Sequence, residues 1–301
     1  MKFQMGTDVM HDELADYIAR GRSAVSIPGA ETVFVQRGNA AFVILHGWCA
    51  TAESVRFLTA GITAGGYSVL APTLPGHGTS PVDIINYGPL DWIRAAREAV
   101  SLMGRHFQEV HLIGTSMGGT LALQLAALES SIVRSVTTVN APVFLSNPEL
   151  AIDVMNGPPE EPLPRWIPAA FMGPSVTEIT YSQRARKTGQ DLLTMATLAN
   201  EVLTLIKSPL LVVQSRHDPV VPSKCADQIM TMTSSTIKQL AWLDNSYHAS
   251  QLDNDRNKIV SIVLKFVTDL DALAGQRVQV NSDHSVRENW MILNAPNGAR
   301  R

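Results

Sequence analysis

The run Gly-Thr-Ser-Met-Gly at residues 114–118 constrains the fold of this chain more than any other feature. It stands between an apolar run at 110–113 and a second apolar stretch at 121–126. A strand, a sharp turn and a helix in this order force the central residue into a strained backbone conformation, and small flanking residues let the strand and the helix approach closely. This context predicts that the hydroxyl of Ser116 is exposed above one edge of a sheet.

Short runs rich in β-branched residues alternate with longer helical patterns along the chain. The alternation predicts an α/β fold, in which a mostly parallel central sheet is flanked by helices. The predicted strands cover residues 32–36, 41–46, 67–71, 110–115, 135–140, 210–215 and 236–242. The predicted helices cover residues 52–64, 89–105, 117–128, 223–230 and 255–272, with a further helix near 12–19.

The alternation stops between residue 142 and about residue 206, where a proline-rich stretch precedes another helical run. A long segment of this kind between two strands predicts an inserted lid, or cap, rather than a structureless loop. We therefore expect a single domain with a core at 30–141 and 207–273, a lid at about 142–206 and a tail of unknown role at 274–301.

Several apolar residues are candidates for lining a substrate pocket. For each residue in the lid, the alternative is that its side chain packs the lid onto the core. The candidates are Phe144, Trp166, Ile167 and Phe171 in the lid, and Val220 in the loop after the predicted strand 210–215.

A serine hydroxyl is a poor nucleophile unless a base removes its proton and a carboxylate orients that base. Asp218 and His248 each follow a predicted strand, which places both at the edge of the sheet where ligands bind. The sequence therefore predicts Ser116 as the nucleophile, His248 as the base and Asp218 as the acid. Chain order and loop position favour Asp218 over Asp244 and Asp253, two carboxylates that are close to His248 in sequence.

Acyl transfer also requires two hydrogen-bond donors for the negative oxygen of the tetrahedral intermediate. The backbone N–H groups of Met117, which follows the nucleophile, and of Trp48, in the loop after the strand 41–46, are predicted to form this oxyanion hole. His46 and His217 are interpreted as structural histidines. Cys49 lies away from the turn at Ser116 and is not a candidate nucleophile.

Composition argues against several other classes of protein. The formal net charge is -3 and the basic residues are scattered, so the sequence has no footprint for nucleic acid. The short basic cluster at 184–187 is interpreted as a solvated helix face. No apolar run is long enough to cross a membrane, and the N-terminal residues lack the apolar stretch of an export signal. With two cysteines outside any metal-binding pattern and no phosphate-cradling loop, we expect a cytoplasmic protein without metal or cofactor.

With these residues placed, the chain resembles the bacterial carboxylesterase and monoacylglycerol lipase branch of the α/β hydrolases over residues 30–272. The landmarks of the resemblance are the runs at 46–48, 75–79, 88–92, 114–120, 217–222 and 245–248. The resemblance implies metal-free hydrolysis of short- to medium-chain acyl esters, including monoacylglycerols, through an acyl-enzyme. The lid matches least, so the substrate within this class stays open.

Other activities use much the same triad and fold, so a carbon–carbon bond hydrolase and a thioesterase are alternatives. A non-catalytic module that keeps the pocket to hold a ligand is a third, and the presence of all three triad residues argues against it. The expected partner is a small-molecule ester or a lipid-like substrate. The sequence leaves open whether two copies form a homodimer.

Overall fold

A computed structural model of the protein describes residues 4–144, 148–163, 170–174, 176–181 and 183–282. The chain divides into two compact units, Met1–Leu264 and Lys265–Arg301. The first unit contains the whole sheet and every residue predicted to take part in catalysis.

Within the described ranges the sheet has seven strands, in the order β1-β3-β2-β4-β5-β6-β7. Its strands are β1 (Val33–Val35), β2 (Ala40–Leu45), β3 (Ser68–Ala71), β4 (Glu109–Thr115), β5 (Val133–Val139), β6 (Leu210–Ser215) and β7 (Lys238–Leu243). The first strand runs antiparallel to β3, and all other neighbours are parallel. The predicted mostly parallel sheet is confirmed, with strand ends within about two residues of the predicted ones.

The central strands are buried on both faces, which explains why β2 and β6 are almost continuous apolar runs rather than alternating ones. Ile44, Leu112, Val136 and Val213, one from each of the four central strands, are completely buried. Because these strands are parallel, the loops that follow them emerge at the same edge of the sheet. The residues predicted to carry the chemistry follow these strands.

Eight α-helices accompany the strands in the described residues. They are α1 (Gln4–Ser23), α2 (Arg56–Ala64), α3 (Pro89–His106), α4 (Met117–Leu128), α5 (Pro148–Asn156), α6 (Arg186–Val202), α7 (Lys224–Met232) and α8 (Arg256–Ser282). The predicted helix at 52–64 begins with a 3₁₀ turn, Ala52–Val55, and α8 continues past residue 272 into the segment expected to be a tail. None of the helices in the described ranges combines the length and the apolar character that crossing a membrane requires.

Between β5 and β6 the chain forms α5 and α6 instead of continuing the alternation of strand and helix. The sequence did not predict α5. Helix α6 packs against α4, and the Gln124 side chain on α4 donates a hydrogen bond to the Met195 carbonyl oxygen at 2.9 Å. This segment therefore has secondary structure of its own that rests on the helix following the predicted nucleophile.

Candidate active site

The turn between β4 and α4 has the strained geometry expected for an exposed nucleophile. Ser116 has a φ of 51° and a ψ of -123°, a conformation that residues with side chains rarely adopt. A Cβ atom at Gly114 would collide with the Gly118 carbonyl oxygen, and one at Gly118 would collide with the Leu45 carbonyl oxygen. Both glycines are required by these close backbone approaches. The turn is further held by the Ser116 N–H, which donates to the Val139 carbonyl oxygen at 2.8 Å.

The structure brings the three predicted triad residues together. The Ser116 Oγ lies 2.9 Å from the His248 Nε2, and the His248 Nδ1 lies 2.8 Å from the Asp218 Oδ2. The Asp218 side chain is fully buried and that of His248 is 15% exposed. The second carboxylate oxygen of Asp218 accepts the backbone N–H groups of Val220 and Val221 at 2.8 and 2.9 Å. With its Nδ1–H donated to Asp218, the imidazole keeps Nε2 free to accept the serine proton.

The rival residues are engaged elsewhere. Asp244 is 57% exposed and pairs with Arg216 at 3.1 Å. The carboxylate of Asp253 accepts backbone N–H groups rather than the imidazole. His217, which was expected to be structural, is exposed. Burial raises the pKa of the Cys49 thiol to about 11, which suppresses the reactive thiolate.

The loop after β2 lies directly against the nucleophile. A Cβ atom at Gly47 would be 3.4 Å from the Ser116 Cβ, so this loop leaves room for little more than a glycine beside the serine. The buried His46 holds the loop, since its Nδ1–H donates to the Gly47 carbonyl oxygen at 2.8 Å and its Nε2 accepts the Leu74 N–H at 3.0 Å. Met117 is the first residue of α4, where the N–H has no acceptor within the helix. The loop of Trp48 and the start of α4 thus flank the serine.

A cavity of about 100 Å³ opens at Ser116 and His248. Its lining combines polar and apolar side chains from the sheet edge and from the segment between β5 and β6. The polar members besides Ser116 and His248 are Thr115, Glu178, Thr180, Arg184 and Gln251, and the apolar members include Ala170, Leu192, Val220, Val221 and Ala249.

Residues 42–259 match the model of the Alpha/beta hydrolase family. The chain belongs to this family. A curated relative, the thermostable monoacylglycerol lipase of Bacillus sp. (strain H-257), is 31% identical over 80% of this chain and 95% of its own length. The carboxylesterase of Bacillus subtilis (strain 168) is 27% identical over 78% of this chain and 94% of its own. A solved structure reported for the metagenome-derived lipolytic enzymes LipS and LipT is 31% identical, with a TM-score of 0.76 over 81% of this chain and 99% of that one.

These matches confirm the predicted family, and its fold agrees with the observed sheet. Both curated relatives are named as ester-hydrolysing enzymes, and the predicted enzyme class, an ester hydrolase, is confirmed at that level. Within the described parts of this alpha/beta hydrolase, no group of three or more His, Cys, Asp and Glu side chains is arranged to hold a metal ion.

The candidate substrate-binding residues lie in different places in this alpha/beta hydrolase. Val220 lines the cavity, whereas Phe144 packs against the hydrophobic core. Phe171 is partly buried and is not among the residues that line the cavity, although its neighbour Ala170 is. Trp166 and Ile167 lie outside the described residues.

Two charged residues of the cavity were not singled out as site residues from the sequence. Burial raises the pKa of Glu178 and the nearby Glu53 raises it further, while Arg184 and His248 act in the opposite direction. The Arg184 guanidinium lies 4.8 Å from the centre of the Trp48 ring. In the described part of the chain, the buried Arg184 Nε and Trp48 Nε1 have no hydrogen-bond partner.

The interpretation of 184–187 as a solvated helix face is wrong. Arg184 lines the cavity, and the Arg186 side chain is only 9% exposed and donates to the Asp153 carbonyl oxygen at 2.6 Å. The Lys187 ammonium donates to the Tyr87 carbonyl oxygen at 2.7 Å. A run of basic residues has no periodicity that would distinguish an inward-facing guanidinium from a solvated one, so the sequence carried no signal for this arrangement.

Asp253 connects the loop of His248 to the segment between β5 and β6. One oxygen accepts the N–H groups of Tyr247 at 3.0 Å and Met172 at 2.7 Å, and the other accepts the Gly173 N–H at 2.9 Å. Burial by itself raises the pKa of this carboxyl, but the backbone N–H donors outweigh burial and lower it overall. From the sequence Asp253 was only a rival for the role of the acid, and no local pattern indicates this connection.

Proposed function

We propose that this alpha/beta hydrolase is a serine carboxylic ester hydrolase that acts on short- to medium-chain acyl esters or monoacylglycerols through an acyl-enzyme. The observation that carries the proposal is the chain of two hydrogen bonds that joins Ser116 to His248 and His248 to Asp218. A buried carboxylate, an imidazole and a serine in this order form the arrangement that activates a hydroxyl for attack on a carbonyl carbon.

In this mechanism the Ser116 Oγ attacks the ester carbonyl carbon while the His248 Nε2 takes the hydroxyl proton. The backbone N–H groups of Trp48 and Met117 stabilise the negative oxygen of the tetrahedral intermediate. When the intermediate collapses, the imidazolium gives its proton to the leaving alcohol and the acyl group stays on Ser116. Water then enters, His248 takes one of its protons, and the second collapse releases the carboxylic acid and restores the serine.

The cavity supports an ester of modest size. Its volume of about 100 Å³ is below the roughly 300–1,000 Å³ of pockets for drug-sized ligands. Leu192, Val220 and Val221 provide apolar surface for an acyl chain. Glu178 and Thr180 provide oxygen atoms for hydroxyl groups of the alcohol portion. An acyl ester of a small polyol has both kinds of surface, which favours a monoacylglycerol over an ester of two apolar parts.

Arg184 raises the alternative of an acidic substrate, such as that of a carbon–carbon bond hydrolase. Its guanidinium lines the cavity and its Nε is unpartnered among the described residues. Glu178 lines the same cavity, however, and its carboxylate would repel an anionic ligand there. A neutral ester that carries hydroxyl groups fits this pair of opposite charges better than an acid.

We further propose that residues 142–206 act as the lid over this site. Ala170, Glu178, Thr180, Arg184 and Leu192 all come from that segment and line the cavity beside Ser116. The segment thereby contributes much of the substrate-contacting surface and none of the three triad residues.

Hydrolysis of p-nitrophenyl esters from acetate to palmitate, with monoacylglycerol alongside, tests the proposal. We expect the wild-type protein to hydrolyse short and medium chains and Ser116→Ala to lose roughly 10⁴- to 10⁶-fold in kcat, because the triad acts as a unit. A fluorophosphonate probe should label the wild-type protein and not the variant. Near-normal turnover by Ser116→Ala would overturn the assignment. Turnover of acyl thioesters by the wild type without turnover of any oxygen ester would replace it with a thioesterase.

A further inference from the structure

The residue that follows β5, Asn140, occupies a special position at the catalytic edge of the sheet. It is completely buried and has a φ of 51°. This left-handed conformation is unfavourable for most side chains and is tolerated best by glycine, asparagine and aspartate. A buried asparagine also has to satisfy two donors and an acceptor. The structure around Asn140 therefore requires both the left-handed backbone conformation and the side-chain amide.

The side-chain amide of Asn140 bridges β6 and the loop of His248. Its Oδ1 accepts the N–H of Ser215, the last residue of β6, at 2.8 Å. Its Nδ2 donates to the carbonyl oxygen of His248 at 2.7 Å and to the Ser250 Oγ at 2.8 Å. The backbone N–H of Asn140 donates to the Val213 carbonyl oxygen at 3.0 Å. Every polar atom of the amide is thus used, and one bond ends on the backbone of the triad histidine.

The loops of the other two triad residues join the same junction. The carbonyl oxygen of Val139, the preceding residue, accepts the N–H of Ser116 at 2.8 Å. On the other side, the Ser215 Oγ donates to the carbonyl oxygen of Ser246, two residues before His248, and accepts the His217 N–H at 3.1 Å. One junction therefore connects the backbone segments that carry the nucleophile, the base and the acid. It consists of Val139, Asn140 and Ser215.

We propose that Asn140 is a positioning residue for the triad. It holds the His248 imidazole where its two nitrogen atoms reach Ser116 and Asp218. This inference rests on the proposed function, because it assigns a role to Asn140 only through His248. Asn140 does not line the cavity, so it acts on the alignment of the base and not on substrate binding. Hydrogen bonds to the backbone of a catalytic residue fix the position of its side chain. That position matters, because a displacement of about 1 Å can cost roughly 10²-fold in rate.

The first test compares Asn140→Gly with Ser208→Ala. Glycine adopts the positive φ without strain and removes the whole side chain, including the amide. The control removes a buried hydroxyl that donates to the carbonyl oxygen of Val133, at the opposite end of β5, at 3.2 Å. We expect Asn140→Gly to lower kcat about 10- to 100-fold with KM within about twofold of wild type, and to slow fluorophosphonate labelling of Ser116 in parallel. Ser208→Ala should keep both kinetic constants.

The second test uses Asn140→Asp, which preserves size and the Oδ1 acceptor but places a carboxylate against the His248 carbonyl oxygen. A negative charge near the imidazole favours its protonated form, so the acid limb of the pH profile of kcat/KM should move to higher pH. A residue whose side chain is remote from the base would lower the amplitude of the profile without moving this limb. If Asn140→Gly does not fold, the pH profile of Asn140→Asp carries the test, with rates normalised to the folded fraction.

These outcomes separate the inference from the function on which it rests. Full kcat in folded Asn140→Gly, together with an inactive Ser116→Ala, overturns the role of Asn140 and leaves the esterase intact. An unmoved acid limb in Asn140→Asp also overturns it. Absence of any ester hydrolysis by the wild-type protein overturns the proposed function itself.

Discussion

The catalytic edge of the sheet and the segment between β5 and β6 are built in different ways. At the edge, the Asp218 side chain is fully buried, and backbone hydrogen bonds hold the loops of all three triad residues. In the segment, Ile152 and Met155 on α5 are 59% and 50% exposed. The segment nevertheless supplies Glu178 and Arg184 to the same cavity.

The difference teaches that the proposed chemistry and the proposed substrate range depend on separate sets of contacts. Loops fixed by buried backbone bonds keep the reacting atoms aligned whatever the substrate. The side chains that would select the substrate are carried by a segment held through side-chain bonds such as those of Asp253 and Gln124. Substitutions at the edge should therefore change kcat, and substitutions that loosen the segment should mainly change KM.

After loss of the nucleophile itself, the largest effect at the catalytic edge should come from Asp218→Asn. The Oδ1 position accepts two backbone N–H groups, so the amide oxygen must stay there and the amide NH₂ must face the imidazole. His248 would then carry its proton on Nε2 and could no longer accept one from Ser116. We expect kcat to fall about 10⁴-fold in an ester assay.

Asp244→Asn is the matched control, since this carboxylate is exposed and pairs with Arg216 at the surface. It should keep the wild-type rate. A full rate in Asp218→Asn would mean that Asp218 is not the acid. If Asp244→Asn or a variant of Asp253 lost most of the rate instead, the substituted residue would have the acid role, and the contrast between the two regions would not hold.

Falling pH should destabilise the core through its buried histidines, and residues 142–206 contain no histidine. Burial lowers the pKa of His46 and of His111 to about 4 and that of His77 well below its ordinary value. At His46, protonation of Nε2 would also break the hydrogen bond from the Leu74 N–H. These folded-state pKa values lie below that of an unfolded histidine, so the neutral rings stabilise the fold above about pH 6.5 and this stability is lost as the pH falls towards 4.

Urea unfolding of the wild type and of His46→Gln between pH 7.5 and 4.5 measures this effect. Glutamine cannot be protonated, so the free energy of unfolding should fall less with decreasing pH in the variant, by about 2 kcal/mol at pH 5 relative to pH 7. Parallel pH dependences for the two proteins would contradict the buried, neutral state of His46.

The smallest effect concerns the connection between the two regions. Asp253→Asn leaves one oxygen where two carboxylate oxygens accept backbone N–H groups, including those of Met172 and Gly173. The segment that carries Ala170 should loosen, and we expect KM for a short ester to rise about tenfold, the equivalent of one lost hydrogen bond to a charged group. Steady-state kinetics with the exposed Asp227→Asn as control measures it. A change confined to kcat would mean that Asp253 positions His248 and does not hold the segment in place.

Much of the sheet could be predicted from the chain because its signals are local. Apolar runs such as 110–113 determine a buried strand, and glycines on either side of Ser116 meet a steric demand within a few residues. The prediction that Asp218 and His248 lie near Ser116 needed only the rule that parallel strands end at one edge. The roles of these three residues stay predictions until the kinetic tests are made.

The inward orientation of Arg184, the connection made by Asp253 and the role proposed for Asn140 could not be obtained in this way. Asn140 and the carbonyl oxygen to which it donates are 108 residues apart, and no periodicity marks such a pair. An asparagine at a strand end is equally compatible with a solvated turn. Whether such an asparagine has a role at the site depends on which loop packs against it in the folded chain.

The sequence by itself determined most strands and helices of the core, the strained turn at Ser116 and the family of the chain, since each depends on residue type at short range. Only the tertiary structure decided which carboxylates reach the imidazole, which charges face the cavity and which backbone groups hold the base in place. Hydrogen bonds between distant loops act over about 3 Å, and the folding of the whole sheet decides which groups come that close.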